Sequence, residues 1–161
     1  MPELNNQNFN HLKIHTQYSI CEGAIKIDNL KDFCKDKKIP CLGLSDTSNL
    51  CGALEFAENI SKVGTQPIIG TQIYFRFEDT TGLLPLIALN ENGYKRIIEL
   101  SSRSYLENDA LSDPHLDVKD LLIDTEGVSL LSGTIQGLFG KLFEKGRLDE
   151  ISKLYRSLSS K

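Results

Sequence analysis

No run of apolar residues in this 161-residue chain approaches the ~18 that a bilayer-spanning helix needs. The first eight residues, Met1-Pro2-Glu3-Leu4-Asn5-Asn6-Gln7-Asn8, hold neither an apolar core nor a basic leader, so they read as a flexible N-terminus, no targeting signal is expected, and the expected compartment is the cytoplasm. An excess of positive charge is also lacking. Eighteen Lys plus Arg face 22 Asp plus Glu for a net charge of −4, which excludes a domain that grips a phosphate backbone with its whole surface. The densest basic run, Lys35-Asp36-Lys37-Lys38, reads as a solvated helix C-terminus. Cysteine is scarce: Cys21, Cys34, Cys41 and Cys51 contain no C-x-x-C, and free buried thiols are expected in place of a disulfide or zinc cluster.

Phosphate-binding glycine spacings are missing too. There is no G-x-G-x-x-G and no Walker-type G-K-S or G-K-T, and Gly137-Leu138-Phe139-Gly140-Lys141 lacks both the spacing and the hydroxyl after the lysine. No repeat, linker or composition break divides the chain, whose length suits one domain burying roughly 70% of its unfolded surface.

What is present is an alternation of two periods. Strands are expected around Leu12 and Ile14, from Cys41 to Leu44, from Ile68 through Ile73, Phe75 and Phe77, from Leu83 to Leu89 and from Val128 to Leu131. Helical stripes lie between them: Ile27, Leu30, Phe33, Cys34; then Leu54, Ala57, Ile60; then Tyr94, Ile97, Ile98, Tyr105. Asp117 or Asp120 can start a short helix holding Leu121 and Leu122, and Leu148, Ile151, Leu154, Tyr155 and Leu158 make a last amphipathic stripe. Residues 107–116, with Asp113-Pro114, read as a surface loop. The order β-α-β-α-β predicts an α/β fold with a mainly parallel sheet.

Among the candidate chemical groups, His11, Lys13 and His15 share one face of the first strand. Side chains two apart sit about 6.6 Å apart along a strand, which lets both imidazoles of an H-x-H reach one zinc. Lys13 occupies the place where such a pair would be completed, and an ammonium has three donors and no lone pair to give. Asp46 and Asn49, between a strand and a helix, are expected to cap that helix, and His115 beside Pro114 to be a loop residue.

At this point the chain resembles the PHP (polymerase and histidinol phosphatase) domain, in the version that opens the alpha subunit of bacterial DNA polymerase III. The resemblance is carried by residues 9–19 (Phe-Asn-His-Leu-Lys-Ile-His-Thr-Gln-Tyr-Ser) with Gly23-Ala24, by residues 44–56 around Ser45-Asp46-Thr47-Ser48-Asn49, and by Gln66-Pro67-Ile68-Ile69-Gly70. Asn92-Gly93-Tyr94-Lys95-Arg96-Ile97, Ser102-Arg103-Ser104-Tyr105-Leu106 and Leu130-Leu131-Ser132-Gly133 extend it in order through residues 9–161.

Metal-binding members of the family carry an H-x-H, an acid seven residues later, a His in T-D-H-G-N, a Glu in G-x-E and later His or Cys ligands. Carried over by the resemblance, these positions fall on Lys13, His15, Glu22, Thr47 and Gln72, with two later ones near Leu83 and Thr134. Only His15 and Glu22 keep ligand chemistry. The loss of anionic donors together with the gain of a cation implies a degenerate site holding no metal, in which Lys13 pairs with Glu22 as an internal substitute for an ion.

The resemblance further implies a parallel-stranded, distorted β/α barrel, incomplete because the chain stops before the family's last motif, an Asp and His pair. In such a fragment Leu148 to Leu158 would cover an exposed sheet edge or mediate association. It also implies a non-catalytic scaffold that docks the separate proofreading exonuclease subunit. The parent would be a DNA-directed DNA polymerase whose palm carboxylates hold Mg²⁺, with DNA met only through that parent and no membrane partner. The alternatives are an active metal-dependent phosphoesterase or proofreading domain, and a free-standing interaction module.

Overall fold

The computed structural model describes residues 9–109 and 111–159; the expected flexible residues 1–8 lie outside the described residues. In chain order the elements are α1 (Ile27–Lys37), β1 (Cys41–Gly43), β2 (Asp46–Thr47), α2 (Ala53–Ser61), β3 (Gln66–Ile68), β4 (Gly70–Phe77), β5 (Thr80–Ala88), α3 (Glu91–Leu106), β6 (Leu116–Asp117), α4 (Val118–Ile123), β7 (Val128–Leu130), α5 (Leu138–Glu144) and α6 (Leu148–Ser159).

The sheet is mixed where a mainly parallel one was expected. β1 with β3, β2 with β4 and β4 with β6 pair in parallel, but the longest ladder, β4 with β5, is antiparallel from Gly70↔Ile87 to Phe77↔Thr80, and β5 pairs antiparallel with β7. The reason is local. Only Glu78 and Asp79 separate β4 from β5, far too few residues for a parallel crossover, and Glu78 turns the chain at φ 54°.

The first expected strand is shorter than its pattern suggested. Residues 11–16 lie extended beside β1: the Ile14 N–H donates to Gly43 O at 3.1 Å, the Gly43 N–H to His11 O at 2.7 Å, and the Ser45 N–H to Ile14 O at 2.8 Å, leaving only isolated bridges at Ile14 and Thr16. The wall therefore runs from residues 11–16 to β1 and β2, then β3 and β4, then β5, then β7, and does not close on itself among the described residues.

Two apolar clusters hold the helices to this wall. Ile27, Leu30 and Cys34 of α1 and Ala53, Phe56 and Ile60 of α2 pack with Leu42 and Leu44. Ile73, Phe75, Leu84 and Leu86 of the hairpin form the larger cluster with Ile97 and Leu100 of α3, Leu121 of α4, Leu138 and Leu142 of α5 and Leu154 of α6. Leu50 packs against both. The α2 stripe is displaced by one position from its expected phase: Phe56 is 0% exposed, while Leu54 is 72% exposed.

The glycine-containing stretch from Gly137 to Lys141 opens α5, an element the sequence pattern did not suggest. In α6, Leu154 is buried and Ile151 and Leu158 join the larger cluster, with Tyr155 and Leu158 lining a cavity of about 390 Å³ shared with Val128 and Leu130 of β7. The α3–α4 corner is tied by Arg96, 6% exposed, whose guanidinium donates to Asp124 O at 3.1 Å and Asp120 O at 2.5 Å. These carbonyls at the end of α4 have no intrahelical partner of their own. Asp120 itself reaches back to the Asp117 N–H at 3.1 Å, so Asp117 starts the helix as expected.

Candidate functional site

The turn after residue 14 is organised by one buried carboxylate. Asp46, fully buried on β2, accepts from the Thr16 N–H at 2.6 Å, the Thr16 hydroxyl at 2.7 Å and the Ser19 hydroxyl at 2.6 Å. The Ser19 oxygen in turn accepts from the Thr47 N–H at 3.1 Å. Close approach is possible because Gly23 has no side chain: a Cβ there would sit 2.0 Å from Thr16 O. Asp46 is thus a loop anchor where a helix cap was expected, and Asn49 does not cap α2 either, since that helix begins at Gly52 with no side-chain cap. Instead Asn49 Oδ1 accepts from the Cys51 N–H at 3.0 Å and Nδ2 donates to Tyr18 O and Thr47 O at 3.0 and 2.9 Å.

This loop delivers Glu22 to the end of the sheet. The parallel register Thr47↔Gln72 sets those two side by side on β2 and β4, so that Gln72 Nε2 donates to Thr47 Oγ1 at 2.7 Å, and the Thr47 hydroxyl donates to Glu22 Oε2. Leu83 comes from β5 and bridges to Gly137, which brings the residue 133–137 loop alongside. Lys13, His15, Glu22, Gln72, Leu83 and Thr134 consequently line one cavity of about 250 Å³, with Thr47 bonded to two of them. All seven positions marked by the resemblance are brought together from segments up to 121 residues apart in sequence (13 to 134).

The chemistry of that wall is unusual. Gln72 is 2% exposed, and its Oε1 is buried without a partner, as is His15 Nδ1. Lys13 and Glu22 line the same space without a direct ion pair between them among the described residues; the Glu22 carboxylate is engaged by Thr47. Divalent clusters need several anionic or lone-pair donors, and among the described residues no three His, Cys, Asp or Glu side chains gather in a metal-binding group. With an ammonium, an amide and Leu83 in the remaining places, the donor set does not fit the metal that the resemblance attaches to active relatives.

An adjoining cavity of about 780 Å³ shares Glu22 and adds Thr47, Tyr18, Tyr74, Tyr105 and Lys141. These tyrosines carry no sequence signal, being scattered over 88 positions (18 to 105, inclusive). Glu55 accepts from the Tyr18 hydroxyl at 2.6 Å and pushes its titration above the usual tyrosine range; burial, with Glu22 and Asp113 nearby, does the same to Tyr74. His115, lining this cavity from its loop, has Nδ1 2.8 Å from Asp113 O. His11 lies outside both cavities and meets Phe9 edge-on, ring centroids 4.7 Å apart. Of the free thiols, Cys34 is buried and thereby pushed up in titration, whereas Cys21 and Cys51 are exposed, contrary to the expectation of burial.

No helix among the described residues is long and apolar enough to cross a membrane. The PHP domain family profile matches residues 11–160. The chain is 37% identical over 161 aligned residues to the DNA polymerase III subunit alpha of Caulobacter vibrioides, covering 94% of this chain and 14% of that protein. It is 32% identical to the subunit of the same name from Vibrio cholerae, covering 90% of this chain and 13% of the other. It therefore spans about one seventh of the curated relatives it matches. Among solved structures, an amidohydrolase from Chromobacterium violaceum superposes with a TM-score of 0.50 at 15% identity, over 60% of this chain and 33% of that one, a likeness of fold. Sequence order, fold and profile agree: the chain belongs to the PHP domain family.

Proposed function

We propose that this chain is the PHP region of a replicative DNA polymerase alpha subunit and that it serves there as a non-catalytic scaffold. The observation that carries the reading is the composition of the 250 Å³ cavity and of Thr47 bonded to its wall, where the positions able to hold divalent ions in active relatives present Lys13, Thr47, Gln72, Leu83 and Thr134, leaving His15 and Glu22 as the only ligand types. Two donors with a cation beside them do not assemble a phosphoester-cleaving cluster. The names of the relatives support the polymerase parent.

In that parent, the fold packs against the remaining alpha subunit and docks the proofreading exonuclease subunit. Polymerisation uses palm-domain carboxylates and Mg²⁺, DNA is met only through the parent, and the assembly works in the cytoplasm. Elemental analysis combined with a phosphomonoester hydrolysis assay tests the reading. Less than stoichiometric zinc and manganese with no chelator-sensitive turnover is expected. Stoichiometric metal with chelator-sensitive turnover would establish the active phosphoesterase in its place. Co-elution with purified exonuclease subunit on size exclusion tests the docking role.

A further inference from the structure

We propose that the Lys13 ammonium is a tethered cation for the 250 Å³ cavity, donating its three N–H groups to Gln72 Oε1, the Glu22 carboxylate and His15 Nδ1 in place of any dissolved ion. This deepens the non-catalytic reading above by saying what occupies the site.

The argument begins with the direction of one hydrogen-bond chain. An ionised carboxylate only accepts, so the Thr47 hydroxyl spends its single proton on Glu22 and can only accept from Gln72. That requirement fixes the Gln72 amide, with Nε2 toward Thr47 and Oε1 turned away. Oε1 is buried and unpartnered, in a side chain only 2% exposed. His15 Nδ1 is likewise buried without a partner, and with the proton on Nε2 it offers a lone pair.

The unmet groups on this wall therefore want donors, and buried polar atoms in native proteins find them. Thr134 and Gln136 add a neutral hydroxyl and a neutral amide to the lining, Leu83, Pro85 and the two glycines add no side-chain donor, and Lys13 has the one ammonium. It makes no hydrogen bond or ion pair among the described residues, with these three acceptors or with any other group, so its three protons are uncommitted. An ammonium meets these acceptors with charge as well as protons, which the neutral donors of Thr134 and Gln136 do not. The same arrangement explains the misfit to divalent metals: the positive charge is already attached to the chain.

Chemical rescue tests this. In chelator-treated protein, Lys13→Ala is expected to lower Tm by about 5 °C, and methylammonium, which refills the vacated place, to restore most of the loss in a saturable way. Sodium chloride and tetramethylammonium, which has no N–H, restore nothing, and Lys13→Met, whose side chain fills the space, does not respond to methylammonium. A Lys13→Ala protein that melts with the wild type, or that recovers equally in sodium chloride, overturns the proposal. Should Lys13→Ala not fold, nitrogen-detected NMR of the wild type decides: an exchange-protected Lys13 ammonium signal, lost in Gln72→Leu, is expected, and its absence in the wild type overturns the proposal. Metal found in the wild type would refute the non-catalytic reading, whereas these readouts bear on Lys13 alone.

Discussion

Asp46 takes both hydrogens that Thr16 offers, the backbone N–H at 2.6 Å and the hydroxyl at 2.7 Å, and this double contact fastens the loop that carries Glu22 to the strand that carries Thr47. The carboxylate is fully buried and accepts from three donors, none of them a cation. Asp46→Ala strands three donors at once and is expected to cost about 3 kcal/mol or more. Urea unfolding measures it, and a change below about 1 kcal/mol would show that water replaces the carboxylate.

Arg96 holds two carbonyls at the end of α4 from inside the α3 face. Arg96→Met keeps the stem and removes the donors, so a loss of about 2 kcal/mol is expected. Hydrogen exchange should report it locally, with the amides of Leu121 and Leu122 losing protection before those of β4. Uniform loss across the chain would contradict a capping role.

Arg76 grips Asp117 with two bonds, Nε to Oδ1 at 3.0 Å and a terminal nitrogen to Oδ2 at 3.1 Å, and its guanidinium holds the Asp117 carboxyl below the usual carboxylate range. Arg103 does the same to Glu107, and Arg147 to Asp79. Since the unfolded chain binds these protons more readily than the folded one, the stabilisation is complete above about pH 5 and drains away as pH falls through the unfolded and then the depressed folded values. Thermal melts from pH 5 to about pH 2 should show Tm falling, less steeply in Asp117→Asn, which keeps a good helix cap. An Asp117→Asn slope equal to the wild type would dismiss this pair as a contributor.

Because the departures from ligand chemistry are spread over the wall, one reversion should not restore metal binding. Lys13→His alone is expected to bind no stoichiometric zinc, whereas Lys13→His, Thr47→His and Gln72→Glu together with His15 and Glu22 assemble five donors on one cavity. Zinc titration by calorimetry separates the two, and tight binding by the single variant would mean that Lys13 was the sole obstacle.

The strands and long helices were legible because period two and period 3.6 are written plainly from residue 41 onward. The phase of α2 was not. In nine residues, Leu54, Ala57, Ile60 and Ala53, Phe56, Ile60 satisfy the same spacing, and only the tertiary contact of Phe56 with Leu42 and Leu44 chooses between them. α5 was hidden by Gly140 inside it and Gly137 before it, both poor helix formers rescued by the burial of Leu138 and Leu142. The seven site positions could be marked by resemblance alone, since nothing in local spacing connects Lys13 to Thr134. The tyrosine-lined neighbour cavity had no pattern at all, its walls meeting only through the fold.

Leu50 touches both apolar clusters, one built by α1 and α2 and the other by the hairpin and α3 to α6. A side chain shared by two cores transmits the loss of either to the other, so the chain is expected to melt as a single cooperative unit where a divided interior would give two foldons. Replacing that one leucine is expected to weaken the coupling, leaving the β2–β4 pairing to carry it, and the early-chain cluster, being smaller, to open first.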